Sequence, residues 1–389
     1  MISLPGGIAR LAAALLLSAT SCFAAGPENA LSGILEAIET NRLDLATQRV
    51  EALIAAHPNF RLAHLIRGDL LMARARPLET FGNVPKTVPR EKVEDLRAEA
   101  LSRLRALRDR PNSDRLPRYV LQLHADQKHA LVVDSRRSRL YVLENVGGRP
   151  QFITDYYVTL GKNGVEKTRE GDQKTPIGVY HVTANLPREK LTDFYGAGAF
   201  PINYPNAWDR SLGRNGHGIW LHGTPSDTYS RPPRASDGCI VLANADLEAV
   251  GRMVQIGLTP VIIADEIEWT DAGTLEAERK GLAEAFESWR ADWQSRDTEK
   301  YLGHYAARFN SGDQDLAQWS AHKRKVNGSK SWIKVAVSRV SMLQYPRESF
   351  VVVSFDQDYR SSNLANVMRK RQYWIKEDGR WRILYEGAA

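Results

Sequence analysis

The stretch GIWLHGTPSDTYSRPPRASDGCIVLAN, residues 218–244, decides the fold in the middle of this chain. Its first residues read as a β-strand, on which Trp220 and His222 share one face while Ile219 and Leu221 share the other. A loop rich in Pro and Ser follows His222 and leads to Cys239. The pattern predicts a strand whose apolar pair faces a core, while His222 looks into a cleft.

Several short runs with a period of two surround this stretch and read as further strands. They are HALVVDSRRSRLYVLEN (129–145), FITDYYVTLG (152–161), TPIGVYHVT (175–183) and TPVIIAD (259–265). One short helix is expected in ANADLEAVGRMVQIG (243–257), with Asn244 as its N-cap and Gly257 as its stop. Many strands with one helix predict a mainly β domain, a sandwich or a barrel-like fold, over residues 117–267.

The segment before this domain, residues 26–115, has a helical pattern. Apolar residues recur every three to four positions in ALSGILEAIETN (30–41), LDLATQRVEALIAAHPNF (43–60) and RLAHLIRGDLLMARA (61–75). The spacing resembles a tetratricopeptide-type hairpin. One such pair is too short for a binding array, so the prediction is a packing role, with a homodimer left open.

The last segment, residues 274–389, has helices first and strands afterwards. Two helices are expected in residues 282–309, followed by strands in 331–343, 349–361 and 369–387, with a hairpin signal at Asp378-Gly379. A helix pair on an antiparallel sheet predicts an α+β cone that resembles the nuclear-transport-factor-2-like (NTF2-like) fold. Its many aromatic residues are expected to be mostly core, and a small ligand or glycan in this domain is the minority interpretation.

The first residues indicate export. The apolar run LAAALLLSA (11–19) and the small residues after it are typical of a signal peptide, predicted over residues 1–24. Cleavage after Ala24 would remove Cys22, whereas retention of Cys22 as a lipid anchor is the alternative. Either outcome leaves Cys239 without an intramolecular disulfide partner, in a periplasmic protein. The net charge of +7 then suits cell-wall polymers better than nucleic acid.

An unpaired thiol with a histidine nearby in the sequence points to acyl transfer. A thiolate attacks a carbonyl, and a neighbouring imidazole takes the thiol proton and later gives it to the leaving amine. Gly238 would let backbone N–H groups approach an oxyanion. His217 lies on the opposite strand face from His222, so a metal site with Cys239 is not expected, and the chemistry needs no cofactor.

Four motifs carry a resemblance to a known family: EGDQKTPIGVY (170–180), FPINYPNAWD (200–209), GIWLHGTP (218–225) and SDGC (236–239). Together they resemble the catalytic domain of the YkuD family, the L,D-transpeptidases of bacterial cell walls. The resemblance implies that Cys239 attacks the diaminopimelate carbonyl of a peptidoglycan stem peptide and D-alanine leaves. His222 would be the base, the Gly223 carbonyl would orient its ring, and Ser236 and Gly238 would flank the nucleophile.

Two positions depart from the pattern of crosslinking members, which read Ser-His-Gly-Cys with an arginine two residues later. Here Asp237 and Val241 stand in those places. Nearby positive charge favours a thiolate and negative charge opposes it, so the departures make the acceptor uncertain. The three-part architecture also resembles that of cell-shape L,D-carboxypeptidases.

Four functions therefore remain open. They are transpeptidation to an amine, which is the family default, L,D-carboxypeptidation, release of wall-bound lipoproteins, and a non-catalytic wall-binding scaffold. Residues near the motif are weighed as contacts for a stem peptide: Ser236, Arg214, Tyr204, Asn206 and Trp220.

Overall fold

The computed structural model describes residues 27–85, 87–109, 114–312 and 314–389. The predicted signal peptide at residues 1–24, and Cys22 with it, lie outside the described residues. Within the described ranges, no helix is long and apolar enough to cross a membrane.

Four helices form the N-terminal helical domain. They are α1 (Pro27–Glu39), α2 (Leu43–Ala56), α3 (Arg61–Ala73) and α4 (Arg90–Arg108). Their shared core contains Ile34, Phe60 and Ile66, each at most 1% exposed. The predicted helical character of this segment is therefore confirmed.

The middle of the chain is mainly β, as predicted. Its strands are β1 (Arg115–Pro117), β2 (Val120–Gln122), β3 (His129–Asp134), β4 (Arg139–Val146), β5 (Arg149–Tyr157), β6 (Leu160–Gly161), β7 (Gly178–His181), β8 (Leu186–Pro187), β9 (Gly198–Pro201), β10 (Trp220–His222), β11 (Arg234–Ser236), β12 (Ile240–Val241), β13 (Pro260–Ala264) and β14 (Trp269–Asp271). Two short helices interrupt them, α5 (Ala207–Ser211) and α6 (Asn244–Gly251).

Two sheets of this middle domain enclose one core. The larger has the order β5-β4-β3-β13-β7 and the smaller the order β12-β10-β9-β8. Leu131 and Leu140 of the larger sheet share a hydrophobic cluster with Leu221 and Ile240 of the smaller one. This packing places Leu221 in the core, as the strand pattern predicts, and fixes which face of β10 carries His222.

The C-terminal domain packs helices on one long sheet. Its elements are α7 (Ala272–Ser295), α8 (Thr298–Leu302), β15 (Tyr305–Ser311), β16 (Gln314–Asp315), α9 (Leu316–Gly328), β17 (Ile333–Gln344), β18 (Phe350–Ser361), β19 (Leu364–Glu377) and β20 (Arg380–Ala388). The sheet order is β16-β15-β20-β19-β18-β17-β2. The β19–β20 hairpin turns at Asp378 and Gly379, which both have positive φ, as the dipeptide predicts.

Three local predictions need correction. The sheet of the C-terminal domain extends into the segment assigned to the middle domain, because β2 pairs with β17. The helix α9 was not predicted. Asn244 is the first residue of α6 rather than its N-cap, and α6 ends at Gly251, before Gly257.

The side chain of Asn244 bonds to backbone groups outside its own helix. Its side-chain oxygen accepts hydrogen bonds from the backbone N–H groups of Ala197 and Thr224, at 2.9 and 3.2 Å, and its amide donates to the Thr224 carbonyl at 2.9 Å. The side chain therefore holds the backbone at Thr224, directly after His222 and Gly223. A helix-capping side chain would instead bond to the backbone of its own helix.

Candidate active site

His222 ends strand β10 and is 1% exposed. Its Nδ1 lies 2.7 Å from the backbone carbonyl oxygen of Gly223. A carbonyl only accepts, so Nδ1 carries the proton and donates it to this bond, which leaves Nε2 without a proton in the neutral ring. The bond sets both the tautomer and the orientation of the imidazole.

Cys239 immediately precedes strand β12, which runs parallel to β10 with Leu221 opposite Ile240. Extending this register by one residue places Cys239 beside Trp220, on the same sheet face as His222. Cys239 is partly exposed, and its thiol donates to the carbonyl of Gly218 at 3.4 Å. The hydrogen bonds of residues 114–312 include none between the thiol and His222 Nε2, so the thiol must turn from Gly218 to reach the base.

Basic side chains partly offset the negative charge that Asp237 brings to the motif. Asp237 is exposed and forms an ion pair with Lys162 at 3.0 Å. Lys167 is buried and donates to the Asp172 carboxylate at 2.8 Å, while the guanidinium carbon of Arg231 lies 5.0 Å from the centre of the Phe194 ring. Neither Lys167 nor Arg231 stands out in the sequence, where KTRE (167–170) and RPPR (231–234) are typical of solvated charge.

Burial dominates the protonation of the pair. It raises the pKa of the Cys239 thiol to about 11, and the charge of Asp237 adds to this rise, whereas the Trp220 backbone N–H and the charges of Lys167 and Arg231 favour the thiolate. Burial also lowers the pKa of His222 to about 4, with Arg231 adding to the effect and the Gly223 carbonyl opposing it. At neutral pH the resting pair is therefore a thiol and a neutral imidazole.

The turn before Cys239 is held by Ser236. Its hydroxyl donates to the Cys239 carbonyl at 2.6 Å and accepts from the Gly238 N–H at 3.2 Å, and Ser236 itself is buried. Thr175 reaches the same turn and donates to the Gly238 carbonyl at 3.0 Å. The expected oxyanion donor, the Gly238 N–H, is therefore already engaged, and Ser236 shapes the turn instead of lining a substrate site.

Gly238 is required by its backbone and by its surroundings. Its φ is +123°, and a Cβ at this position would lie 2.6 Å from the Lys174 carbonyl oxygen. Gly238→Ala is expected to destabilise the protein by about 2–4 kcal/mol and to displace Cys239. Thermal unfolding checks this, with Gly257→Ala as the matched control, because Gly257 also has positive φ (+76°) but open space around its Cβ position. Equal losses in the two variants would contradict the steric explanation.

Aromatic rings from the segment after β8 cover His222. The His222 ring centre lies 5.7 Å from that of Phe194 and 5.2 Å from that of Tyr195, and Tyr195 also contacts Trp220 at 5.0 Å. Phe194 is 48% exposed, so it forms the outer rim of the cleft. Sequence analysis missed this segment because it lies about 30 residues before the motif.

Three residues weighed as substrate contacts are engaged in the scaffold. Tyr204 is buried and donates to the Asn215 carbonyl at 3.0 Å. Asn206 is the buried N-cap of α5, and Arg214 pairs with the fully buried Asp209 at 3.1 Å. Their polar groups are occupied by internal bonds, so we place these three residues outside the site.

The aromatic residues of the C-terminal domain are largely core. Trp289, Tyr301 and Trp374 are fully buried in its main cluster. A buried carboxylate, Glu386, accepts hydrogen bonds there from Tyr305 at 3.0 Å and from Lys370. Over the described part of the chain, no group of His, Cys, Asp and Glu side chains has the geometry of a metal site.

Comparison with known proteins identifies two of the domains. The model of the YkuD L,D-transpeptidase catalytic domain matches residues 128–263, and the model of the Cds6 C-terminal NTF2-like domain matches residues 281–387. Both matches fall on the domains that the structure separates. The chain belongs to the YkuD family of L,D-transpeptidase-domain proteins, with an NTF2-like domain following the catalytic one.

Two solved structures share the wider architecture. Bd1075 of Bdellovibrio bacteriovorus is 30% identical, with 71% of this chain and 98% of that chain covered and a TM-score of 0.62. The helical cell shape determining protein Pgp2 of Campylobacter jejuni is 26% identical, with 70% and 95% covered and a TM-score of 0.60.

A further relative matches over the catalytic domain alone. YafK of Escherichia coli K12, whose name assigns it provisionally to the L,D-transpeptidases, is 29% identical over 122 residues. The match covers 31% of this chain and 44% of YafK, so this chain spans less than half the length of that relative.

Proposed function

We propose that this protein is a cysteine acyl-transfer enzyme of peptidoglycan whose acyl-enzyme is resolved by water, an L,D-carboxypeptidase that trims tetrapeptide stems to tripeptides. The observation that carries the proposal is that Cys239, at the start of β12, lies on the same sheet face as His222 of the adjacent strand β10, whose imidazole tautomer is fixed by the Gly223 carbonyl. A peptide bond at an L-centre followed by D-alanine is the substrate class of the family.

The first half of the proposed reaction forms a thioester. Cys239 Sγ turns from the Gly218 carbonyl toward His222 Nε2, which takes the thiol proton as sulfur attacks the diaminopimelate carbonyl carbon. The C–N bond then breaks, and Nε2 gives the proton to the departing amine of D-alanine. Because the resting pair is neutral, proton transfer accompanies the attack and does not precede it.

The charge on the intermediate oxygen needs a donor other than Gly238. Ser236 already holds the Gly238 N–H. The backbone N–H of Cys239 has no acceptor among the hydrogen bonds of residues 114–312, and we assign the stabilisation of the oxyanion to it. In the second half, His222 deprotonates water, which attacks the thioester, and the proton returns to sulfur.

Two observations favour water over an amine as the acceptor. The basic residue that crosslinking members carry two positions after the cysteine is replaced by the buried Val241. The similarity to Pgp2, a helical cell shape determining protein, covers 95% of that chain and so includes more than the catalytic domain. Transpeptidation to an amine is the second candidate, supported by the domain match itself.

The test of the proposal is a product analysis. The mature protein is incubated with purified tetrapeptide muropeptides, with and without a diaminopimelate or D-amino-acid acceptor, and the products are identified by mass spectrometry. Tripeptide as the sole product, even with excess acceptor, is the expected result. Crosslinked or exchanged products would show a transpeptidase and contradict the proposal.

The pH dependence follows from the two shifted groups. The pKa of His222 is lowered to about 4, so its base form persists into mildly acidic solution, and the pKa of Cys239 is raised to about 11. The value of kcat/KM is therefore expected to vary less than about threefold between about pH 5 and about pH 9. Iodoacetamide labelling of Cys239 should rise about tenfold per pH unit across the upper part of this range. A labelling midpoint below about pH 7 would contradict a neutral resting pair.

The cellular setting and the remaining partners are part of the same proposal. A substrate in the cell wall fits the periplasmic location that the N-terminal apolar run predicts. In the C-terminal domain, Lys323 Nζ lies 4.2 Å from the centre of the Trp319 ring, and its charge helps to lower the pKa of Glu386. A cation beside an aromatic ring is suited to a small polar ligand such as a glycan. The tetratricopeptide-like character of the helices and a homodimer remain predictions.

A further inference from the structure

One residue of the catalytic loop, Tyr229, is partly buried against the helical domain. Tyr229 packs against the helical core, with its ring centre 4.3 Å from that of Phe60 and 4.9 Å from that of His57. The loop between His222 and Cys239 is thus anchored in a different domain from the strands that it joins. Tyr229 supplies an aromatic contact to this anchor, as is common at interfaces.

Polar contacts from the helical domain hold the loop on both sides of Tyr229. On one side, the side-chain amide of Asn59 donates to the Ser226 carbonyl at 3.0 Å. On the other side, the Ser230 hydroxyl donates to the buried carboxylate of Glu99 at 2.7 Å. Glu99 is itself paired with Arg103 at 2.9 Å.

Hydrogen bonds also hold the backbone of Arg231, the residue after Ser230. The guanidinium of Arg103 lies 3.9 Å from the centre of the Tyr157 ring, and the Tyr157 hydroxyl donates to the Arg231 carbonyl at 2.9 Å. Thr159 donates to the same carbonyl at 3.0 Å. The backbone of Arg231 is therefore fixed directly after the residues that the helical domain holds.

The side chain of Arg231 then lies over Phe194, at the rim of the candidate site. Its guanidinium covers Phe194, whose ring contacts His222, and its charge favours the thiolate of Cys239 and the neutral form of His222. A second connection reaches the same rim, because the backbone N–H and hydroxyl of Ser226 both donate to the Asp193 carboxylate, next to Phe194.

We propose that the helical domain is a positioning element of the active site, in which the burial of Tyr229 against His57 and Phe60 holds Arg231 beside Cys239 and His222. The helical domain thereby replaces, through contacts distant in the sequence, the cation that the motif lacks after Cys239. This inference deepens the proposed function, but it concerns the reactivity of the thiol and can be tested without the substrate. Tyr229 is a positioning residue, and Arg231 is the group that it positions.

The experiment measures the effect of Arg231→Gln on the labelling rate of Cys239, once in the wild type and once in Tyr229→Ala. The rate at which iodoacetamide labels Cys239 at about pH 8 is determined by peptide mass spectrometry, for the wild-type full chain and for Arg231→Gln. Removing the cation is expected to slow labelling about threefold to tenfold. In the Tyr229→Ala background the same substitution should slow labelling clearly less than in the wild type, because the loop loses its aromatic anchor while only Tyr157 and Thr159 still hold the Arg231 carbonyl. Any change in access to the thiol cancels in the ratio.

Two matched variants separate positioning from general loss of stability. Tyr229→Phe keeps the ring, so Arg231→Gln should slow the labelling of Cys239 by the same factor in this variant as in the wild type. Ile34→Ala removes a fully buried side chain from the helical core without touching the loop, and it should also preserve the ratio in protein that circular dichroism shows to be folded. An unchanged ratio in Tyr229→Ala, or an equal collapse in Ile34→Ala, would overturn the proposal. Since no muropeptide is involved, failure of the proposed peptidase function would leave this result readable.

Discussion

Replacing Cys239 with Ala is expected to lower D-alanine release from tetrapeptide muropeptides by about 10⁴-fold or more. The thiol is the atom that forms the covalent intermediate, and no other free cysteine exists among the described residues. The substitution leaves the surrounding turn intact, because Ser236 bonds to the backbone of residue 239 and not to its side chain. Liquid chromatography of the muropeptide products measures the loss.

The control for this prediction is a measurement that shows Cys239→Ala to be folded. Thermal unfolding of Cys239→Ala should lie close to that of the wild type, since the side chain of Cys239 is partly exposed and its hydrogen bond to the Gly218 carbonyl is long. Substantial tripeptide formation by the folded variant would show that a different residue attacks the substrate. Absence of tripeptide from both the folded wild type and the variant would instead favour the interpretation of this chain as a wall-binding scaffold.

His222→Gln is expected to lower kcat by about 10³-fold to 10⁴-fold, the range seen when the base of a nucleophile–base pair is lost. Glutamine can fill much of the buried site, but it cannot take a proton from the thiol. Iodoacetamide labelling of Cys239 should change far less, within about threefold, because the neutral imidazole contributes no charge to the thiolate. Comparing cleavage with labelling thus separates the base from the nucleophile.

His217→Gln is the matched control. The side chain of His217 is 80% exposed and contacts only Glu170 at 3.5 Å. Its replacement should leave kcat within about twofold, as is usual for exposed side chains remote from special features. If His217→Gln lost as much activity as His222→Gln, the assignment of the base to His222 would be wrong.

Residues close together in the sequence were the predictable part of the site. The strand pattern around Leu221 places His222 on the face away from the core, and the motif indicates Cys239 as its partner. His222 and Cys239 lie within about 20 residues of each other, so a local pattern and motif are enough to pair them. The predicted helical, β and α+β segments likewise follow from local pattern.

Contacts between distant segments were not predictable. Lys167, Phe194 and Arg231 reach the catalytic pair from three different loops, and no periodic pattern marks a loop residue. Asn244 has the appearance of an N-cap in the sequence, yet it bonds to Ala197 and Thr224 because the fold brings those backbones to it. The pairing of β2 with β17 joins residues more than 200 positions apart, which only tertiary packing decides.

The central claim is that Cys239 forms a thioester with the stem peptide. Intact-protein and peptide mass spectrometry of acid-quenched mixtures of enzyme and tetrapeptide muropeptide tests it most directly. The account predicts an adduct on the peptide that contains Cys239, with the mass of the muropeptide less D-alanine, and its absence in Cys239→Ala. Rapid tripeptide formation with no adduct on Cys239 at any quench time, or with an adduct on another residue, would contradict it.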